Sequence, residues 1–178
     1  EDTKPDAERT VLEFGEREGL SVSAVRPPII YGPYDKNFMP RAAEALRRGR
    51  FLLVDGGRAP LNVVWVDHVV DVLLLCATHP AADGEVFNVM DEVDQEPPSV
   101  REVANLLADT LGLPRPKLSL PFGLAYGVGH LALAAFRLAK AEKPPPVTPF
   151  VVKMLTRHVI YDASKAVRVL GWQPRVRA

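Results

Sequence analysis

The sequence has a single cysteine, Cys76, no excess of charge of either sign, and no glycine-rich phosphate loop. One thiol cannot build an intrachain disulfide framework, and it excludes an all-cysteine zinc or iron–sulfur site. Lys+Arg 22 against Asp+Glu 22 gives a formal net charge of +0, so there is no electrostatic case for nucleic acid or for acidic lipid. No G-x-G-x-x-G opens a strand–turn–helix unit, and Gly123, Gly127 and Gly129 sit in a hydrophobic setting instead. None of the four scattered histidines makes a convincing metal site, His68 with Asp67 and Asp71 near it included, and no metal is expected. Ser164 stands near a helix start rather than on a G-x-S-x-G elbow, which leaves serine hydrolysis without support. The opening EDTKPDAERTVLEF shows neither the basic start nor the apolar core of a signal peptide, and a cytoplasmic setting is expected.

What is present suits a packed α/β chain. The 178 residues are 47% apolar and 25% charged, enough to bury a real core. Thr3, Pro5 and Asp6 predict a helix start, Ala7, Val11 and Phe14 share a side at helical spacing, and Gly19 suits the exit. LSVSAVRPP reads as a strand ended by two prolines, and PPIIYGPYD as a loop. A helix is predicted from Met39 to Arg48, then strands in RFLLVDGG and LNVVWV. Asp67 is expected to cap the helix HVVDVLLLCATH, whose apolar character on most sides predicts burial, with Cys76 in the core. GEVFNVMDE reads as a strand, and Ser99 with Glu102 as a capping box for a helix closed by Gly112. From Leu118 to Phe136 no acid, lysine or arginine occurs, which is near the lower length for crossing a bilayer. Its glycines, proline and His130 favour a buried or half-buried helix. A helix on a membrane surface or lining an apolar entrance, and a true span, are the alternatives. KAEKPPPVTP, Lys140 to Pro149, reads as a rigid spacer. FVVKMLT follows as a helix, HVIY as a short strand, and Asp162 as the cap of a last helix.

Four segments in order carry a resemblance. VRPPIIYGP, LNVVWVDHVVDVLLL, GEVFNVMD and the closing YDASKAVRVLGWQP together resemble the extended short-chain dehydrogenase/reductase (NAD-dependent epimerase/dehydratase) superfamily. KPPPVTPFVVKMLTRHVIYD and the apolar segment before it are most similar to its 3β-hydroxysteroid dehydrogenase/isomerase-like branch. The resemblance implies an α/β fold, the C-terminal part of a Rossmann-like NAD(P)-binding fold with the helix-rich substrate-binding region. No independent domain boundary is expected within residues 1–178.

The resemblance also implies a site. Lys4 matches the lysine of the family's Y-x-x-x-K, with the tyrosine immediately before Glu1; its charge would lower the tyrosine pKa and its ammonium would hold the nicotinamide ribose. Pro27, Ile29 and Ile30 would lie against the nicotinamide of NAD or NADP. Tyr31 would turn toward the substrate, with Asn37, Phe38 and Met39 lining the cleft and Asn62 and Trp65 near it. Arg58 stands where sugar-nucleotide members use a basic residue on phosphate, and Phe122 and Tyr126 would wall an apolar pocket.

On this reading the chain is the C-terminal half only of an NAD(P)-dependent oxidoreductase that interconverts a hydroxyl and a keto group on an apolar, steroid-like substrate. Its partners would be that substrate, a missing N-terminal nucleotide-binding half and a second copy in a homodimer. A membrane surface is a weaker candidate. The chain alone would be inactive. A nucleotide-sugar epimerase or dehydratase, and a noncatalytic binding module, are the alternatives.

Overall fold

The computed structural model describes residues 3–139 and 147–175, so most of the spacer expected at Lys140–Pro149 lies outside the described residues. Two compact units share the chain: one takes residues up to Asp35, Asn62–Pro97 and those from Ile160, the other Lys36–Leu61 and Pro98–Val159.

In the first unit, helix α1 (Thr3–Glu18) runs to Gly19, whose φ of +67° ends it. Strand β1 (Ala24–Arg26) follows, and the loop expected across PPIIYGPYD is corrected at its centre. Pro27 and Pro28 have no N–H to give a ladder, but Ile29–Tyr31 can pair, and they form β2. It lies parallel to β4 (Val63–Trp65), with Ile29 opposite Val63 and Tyr31 opposite Trp65. β1 lies parallel to β5 (Val86–Asn88), with Ala24 opposite Val86. Gly32 then turns the chain at φ +132°, and a Cβ there would stand 2.9 Å from Val66 Cγ1.

Helix α3 (Val66–Thr78) departs from expectation twice. Trp65 is its N-cap, while Asp67 lies inside the first turn and accepts the Trp65 indole N–H at 3.1 Å. There its charge still favours the positive end of the helix. The helix is buried on one side only: His68, Val69 and Val72 are inside, whereas Leu73 is 51% and Leu74 61% exposed. Successive helical residues point about 100° apart, so an unbroken leucine run cannot all face one core. That core joins Val64, Val72, Phe87, Met90, Ala166 and Trp172, with Cys76 half-buried against it. Burying Phe87 alone is worth about 1.5–3 kcal/mol. Helix α7 (Ser164–Leu170) starts where the Asp162 carboxylate accepts the Ser164 N–H at 2.8 Å and ends at Gly171, φ +66°. The strand expected at HVIY does not form; Tyr161 N–H donates instead to the Asn62 side chain at 3.3 Å.

The second unit holds α2 (Phe38–Arg47), β3 (Leu53–Val54), α4 (Val100–Thr110), β6 (Ser119–Leu120), α5 (Phe122–Leu138) and α6 (Pro149–Met154). β3 and β6 are parallel. The Ser99–Glu102 capping box is formed in full at the start of α4, a device worth about 1 kcal/mol. Gly129 lets α5 meet α6, since a Cβ there would lie 3.0 Å from Pro149 N. Of the buried and half-buried helix expected in this apolar segment, the half-buried one forms. Ala125 and Gly129 are buried, while Leu124 is 62% and Leu131 73% exposed. Among the described residues no helix is long and apolar enough to cross a membrane.

Parallel strand pairs with intervening helices run through the described chain, from β1 near its start to β6. The Rossmann-like α/β layering is therefore a property of this chain from its first helix onward. The expected assignment to a C-terminal, substrate-binding part alone is corrected accordingly.

Candidate functional site

The first cluster forms where α1 meets the end of β1. Arg26 grips Glu8 with two parallel hydrogen bonds, Nε to Oε2 at 2.7 Å and Nη2 to Oε1 at 2.5 Å. The Arg26 guanidinium holds the Glu8 carboxyl below its ordinary value, and Glu8 in turn raises Arg26. Lys4 stands four residues before Glu8, on the same helical face. The pair therefore sets that face beside Arg26, the residue preceding Pro27. Lys4 is exposed, and Pro5 falls in the first turn, where a missing N–H costs nothing. Ile29 donates its N–H to the Asn62 carbonyl at 3.4 Å, and Ile30 is 42% exposed. Asn62 thus supports both β2 and Tyr161.

A second cluster lies at the ends of β2 and β4. Tyr31 meets Trp65 edge to face, with centroids 5.3 Å apart. Behind them Asp91, fully buried, accepts the Trp65 backbone N–H at 2.8 Å and bonds His68 Nδ1 at 2.7 Å through the same oxygen. His68 Nε2 accepts the Arg175 N–H at 3.0 Å, so the tautomer with its proton on Nδ1 satisfies both bonds. The carboxylates near His68 in sequence, Asp67 and Asp71, are engaged elsewhere: Asp67 with the Trp65 indole and Asp71 with the Arg175 guanidinium. Asp91 Oδ2 is buried without a hydrogen-bond partner among the described residues. The Tyr31 phenol is pushed up, chiefly by burial, then by the Asp91 carboxylate and the charge of Glu92. Tyr31 is therefore a neutral hydroxyl, not a base, at physiological pH.

That shift carries a pH prediction. A folded-state pKa above the ordinary 10.0 stabilises the protein below pH 10, and the contribution is lost as pH rises beyond it. Thermal melts between pH 8 and 11 should show this alkaline loss, and Tyr31→Phe should flatten it. An unchanged alkaline limb in the variant would refute the assignment.

The other residues expected at the site lie in the second unit, described by itself. Asn37 is the N-cap residue of α2, and Phe38 and Met39 fill its first turn half-buried. Phe122 stacks on Tyr126 with centroids 5.3 Å apart and planes 16° apart. Phe122 also lines an open pocket of about 690 Å³ with Asp55, Lys153, Thr156 and Arg157. A smaller pocket of about 220 Å³ shares Asp55 and Thr156 and adds Arg58 and His158. Sequence reasoning missed Asp55, Lys153, Thr156, Arg157 and His158. The four-residue spacing of Lys153 and Arg157 was the available signal, and it reads equally as a solvated face. Of the expected substrate residues, Tyr31, Asn62 and Trp65 gather in one unit, and Phe122, Tyr126 and Arg58 in the other.

The model of the NAD dependent epimerase/dehydratase family matches residues 3–89. Over those residues, a little under half of its length, the chain is similar to this family. A 2-alkyl-3-oxoalkanoate reductase of Stenotrophomonas maltophilia is 30% identical over 98% of this chain and 53% of its own length. A 3beta-hydroxysteroid-dehydrogenase/decarboxylase of Arabidopsis thaliana is 30% identical over 98% of the chain and 42% of its own. The solved structure of MoeE5 in complex with UDP-glucuronic acid and NAD superposes with a TM-score of 0.65 at 24% identity. That match covers 98% of this chain and 49% of the other, and bears on the fold alone. The chain spans about half the length of the curated relatives it matches.

These matches correct the restriction to a C-terminal half. Family sequence begins at residue 3 and takes in the chain's own first half, and relatives align along nearly all of it. The expectations of a missing N-terminal nucleotide-binding half as partner, and of an inactive chain, are overturned with it. Both rested on an absent glycine loop and on the place of Lys4, and neither measures how much family sequence the chain carries. The residues present fit the nicotinamide end of a dinucleotide: a cation-bearing helical face clamped beside a stiff Pro–Pro segment and an outward Ile30. No residue here is assigned to its pyrophosphate.

Proposed function

We propose that this protein is an NAD(P)-dependent oxidoreductase that reduces a ketone on an apolar substrate and can run in reverse. The observation that carries the reading is the Glu8–Arg26 clamp, which sets the Lys4 face beside the Arg26–Tyr31 segment. The family match and the two relatives, by name a 3-oxoalkanoate reductase and a 3β-hydroxysteroid dehydrogenase, support it.

When bound, the nicotinamide supplies reversible hydride transfer at a carbonyl carbon. Lys4 holds a fixed positive charge beside the ribose and favours the ionised form of the hydroxyl that exchanges the proton. Pro27, Ile29 and Ile30 form a stiff apolar surface against the nicotinamide, already ordered before binding. Tyr31, kept protonated, offers a hydroxyl to the substrate, with Trp65 and Asn62 bracing the turn. In the second unit, Asn37, Phe38 and Met39 offer substrate contacts, and the Phe122–Tyr126 stack offers an apolar wall. A cytoplasmic setting suits the free, half-buried Cys76.

The test supplies NADH or NADPH with a 2-alkyl-3-oxoalkanoate, a 3-ketosteroid or UDP-glucose. Stoichiometric cofactor oxidation with either ketone is expected. Epimerisation of UDP-glucose without net cofactor change would overturn the reading.

A further inference from the structure

The balanced charge of the whole chain hides an unequal division between its two units. The second unit carries fourteen Lys and Arg against five Asp and Glu, a net charge of +9, and the first carries the compensating excess of acid. Acids are scarcest around α5 and α6: Glu142 is the only one between Thr110 and Val159, against seven Lys and Arg. The same two helices turn apolar side chains to solvent. Leu124, Val128, Leu131, Ala135 and Leu138 follow at steps of four and three, which sets them in one line along α5, about 20 Å long. All five are exposed, Leu138 at 86%. The helix packs through another side, where Ala125 and Gly129 are buried and Gly129 meets the start of α6. On α6, Phe150 is 74% exposed, and Met154 stands one turn on from it, also exposed. Continuous exposed apolar surface of this kind marks a contact with something else.

We propose that the second unit docks on an anionic lipid surface, with the exposed line of α5 set into the boundary between headgroups and acyl chains. The lysines and arginines around it, Arg137 at the end of α5 among them, meet the lipid phosphates. Charge selects this occupant. A line with steps of four and three would also suit a second copy of the chain, but pairing α5 with α5 would bring two units of net charge +9 together, and like charges repel. An anionic surface answers both the cations and the leucines. No described helix can cross a bilayer, so the contact lies along the surface. Docking does not depend on the oxidoreductase reading, and it places the protein where apolar molecules concentrate.

The test is flotation of the protein with vesicles of phosphatidylcholine alone and of phosphatidylcholine mixed with phosphatidylglycerol, at low and high salt. Wild type is compared with a double variant, Leu124→Gln with Leu131→Gln, and with Arg137→Gln. All three side chains are exposed, and circular dichroism confirms that each variant is folded. Wild type should bind the mixed vesicles at least about tenfold more tightly than the neutral ones and lose most of that preference at high salt. The double leucine variant should bind the mixed vesicles about tenfold or more weakly, and Arg137→Gln about fivefold more weakly. No flotation with the mixed vesicles, equal flotation with both kinds, or binding unchanged in the leucine variant overturns the proposal. A lipid-free dimer of wild type that the leucine variant abolishes also overturns it, in favour of a second copy on α5.

Discussion

Replacing Asp91 with alanine should destabilise the first unit by about 2–5 kcal/mol, because one buried and one half-buried donor lose their acceptor. The Trp65 N–H starts α3, and the His68 Nδ1–H orients a ring that also receives the Arg175 N–H. The His68 ring cannot reach water where it stands, since the residue is 1% exposed. Domains of this kind keep only about 5–15 kcal/mol in hand, so the loss is a large share of the whole. Asp91→Asn keeps an oxygen for the Trp65 N–H and should cost less. Removing the carboxylate charge should also bring the Tyr31 phenol back toward its ordinary value, since Asp91 follows burial among the causes of its shift. Urea titration with an unchanged slope measures the first effect, and ultraviolet titration of the phenol the second. A loss below about 0.5 kcal/mol for the alanine variant would put it among inconsequential surface changes and refute the role given to Asp91.

Lys4→Met should lower kcat by about a hundredfold or more, the usual scale for disabling acid–base assistance. The cofactor KM should rise as well, because the same ammonium is proposed to meet the ribose hydroxyls. Stability should barely move, since the side chain is exposed. Glu8→Gln is a useful companion. It weakens the grip of α1 on Arg26 without touching Lys4, and should reproduce a smaller part of the kinetic loss. A Lys4→Met enzyme with wild-type kcat would remove lysine from the mechanism and reopen the site.

Local rules were sufficient where the signal and the structure act within one turn of chain. Ser99 and Glu102 read as a capping box and form one, because every atom involved lies within three residues. Gly19 and Gly171 end their helices at positive φ as glycine should. The same rules misjudged PPIIYGPYD. Its prolines forbid a long ladder, but a three-residue strand needs only a partner, and that partner, β4, lies some thirty residues away. They also overstated burial in α3, where apolar composition stood in for direction. The restriction to a C-terminal half came from a motif that was absent, and the family match corrected it.

From the sequence alone followed the α/β alternation, a family resemblance, the Ser99–Glu102 cap and the stiffness of the Pro27–Pro28 segment, all of which depend on residue type and near neighbours. The tertiary structure decided what stands beside what. His68 bonds Asp91 rather than the carboxylates next to it in sequence, because helical geometry turns Asp67 and Asp71 away from the core that receives its ring. Arg58, Lys153 and Arg157 meet at adjoining pockets although almost a hundred residues separate the first from the others. Even the single cysteine, the balanced charge and the missing glycine loop only excluded chemistries. Which apolar side chains stay outside, and beside which cations, is set by packing, since a side chain's partners depend on the chain that folding brings to it.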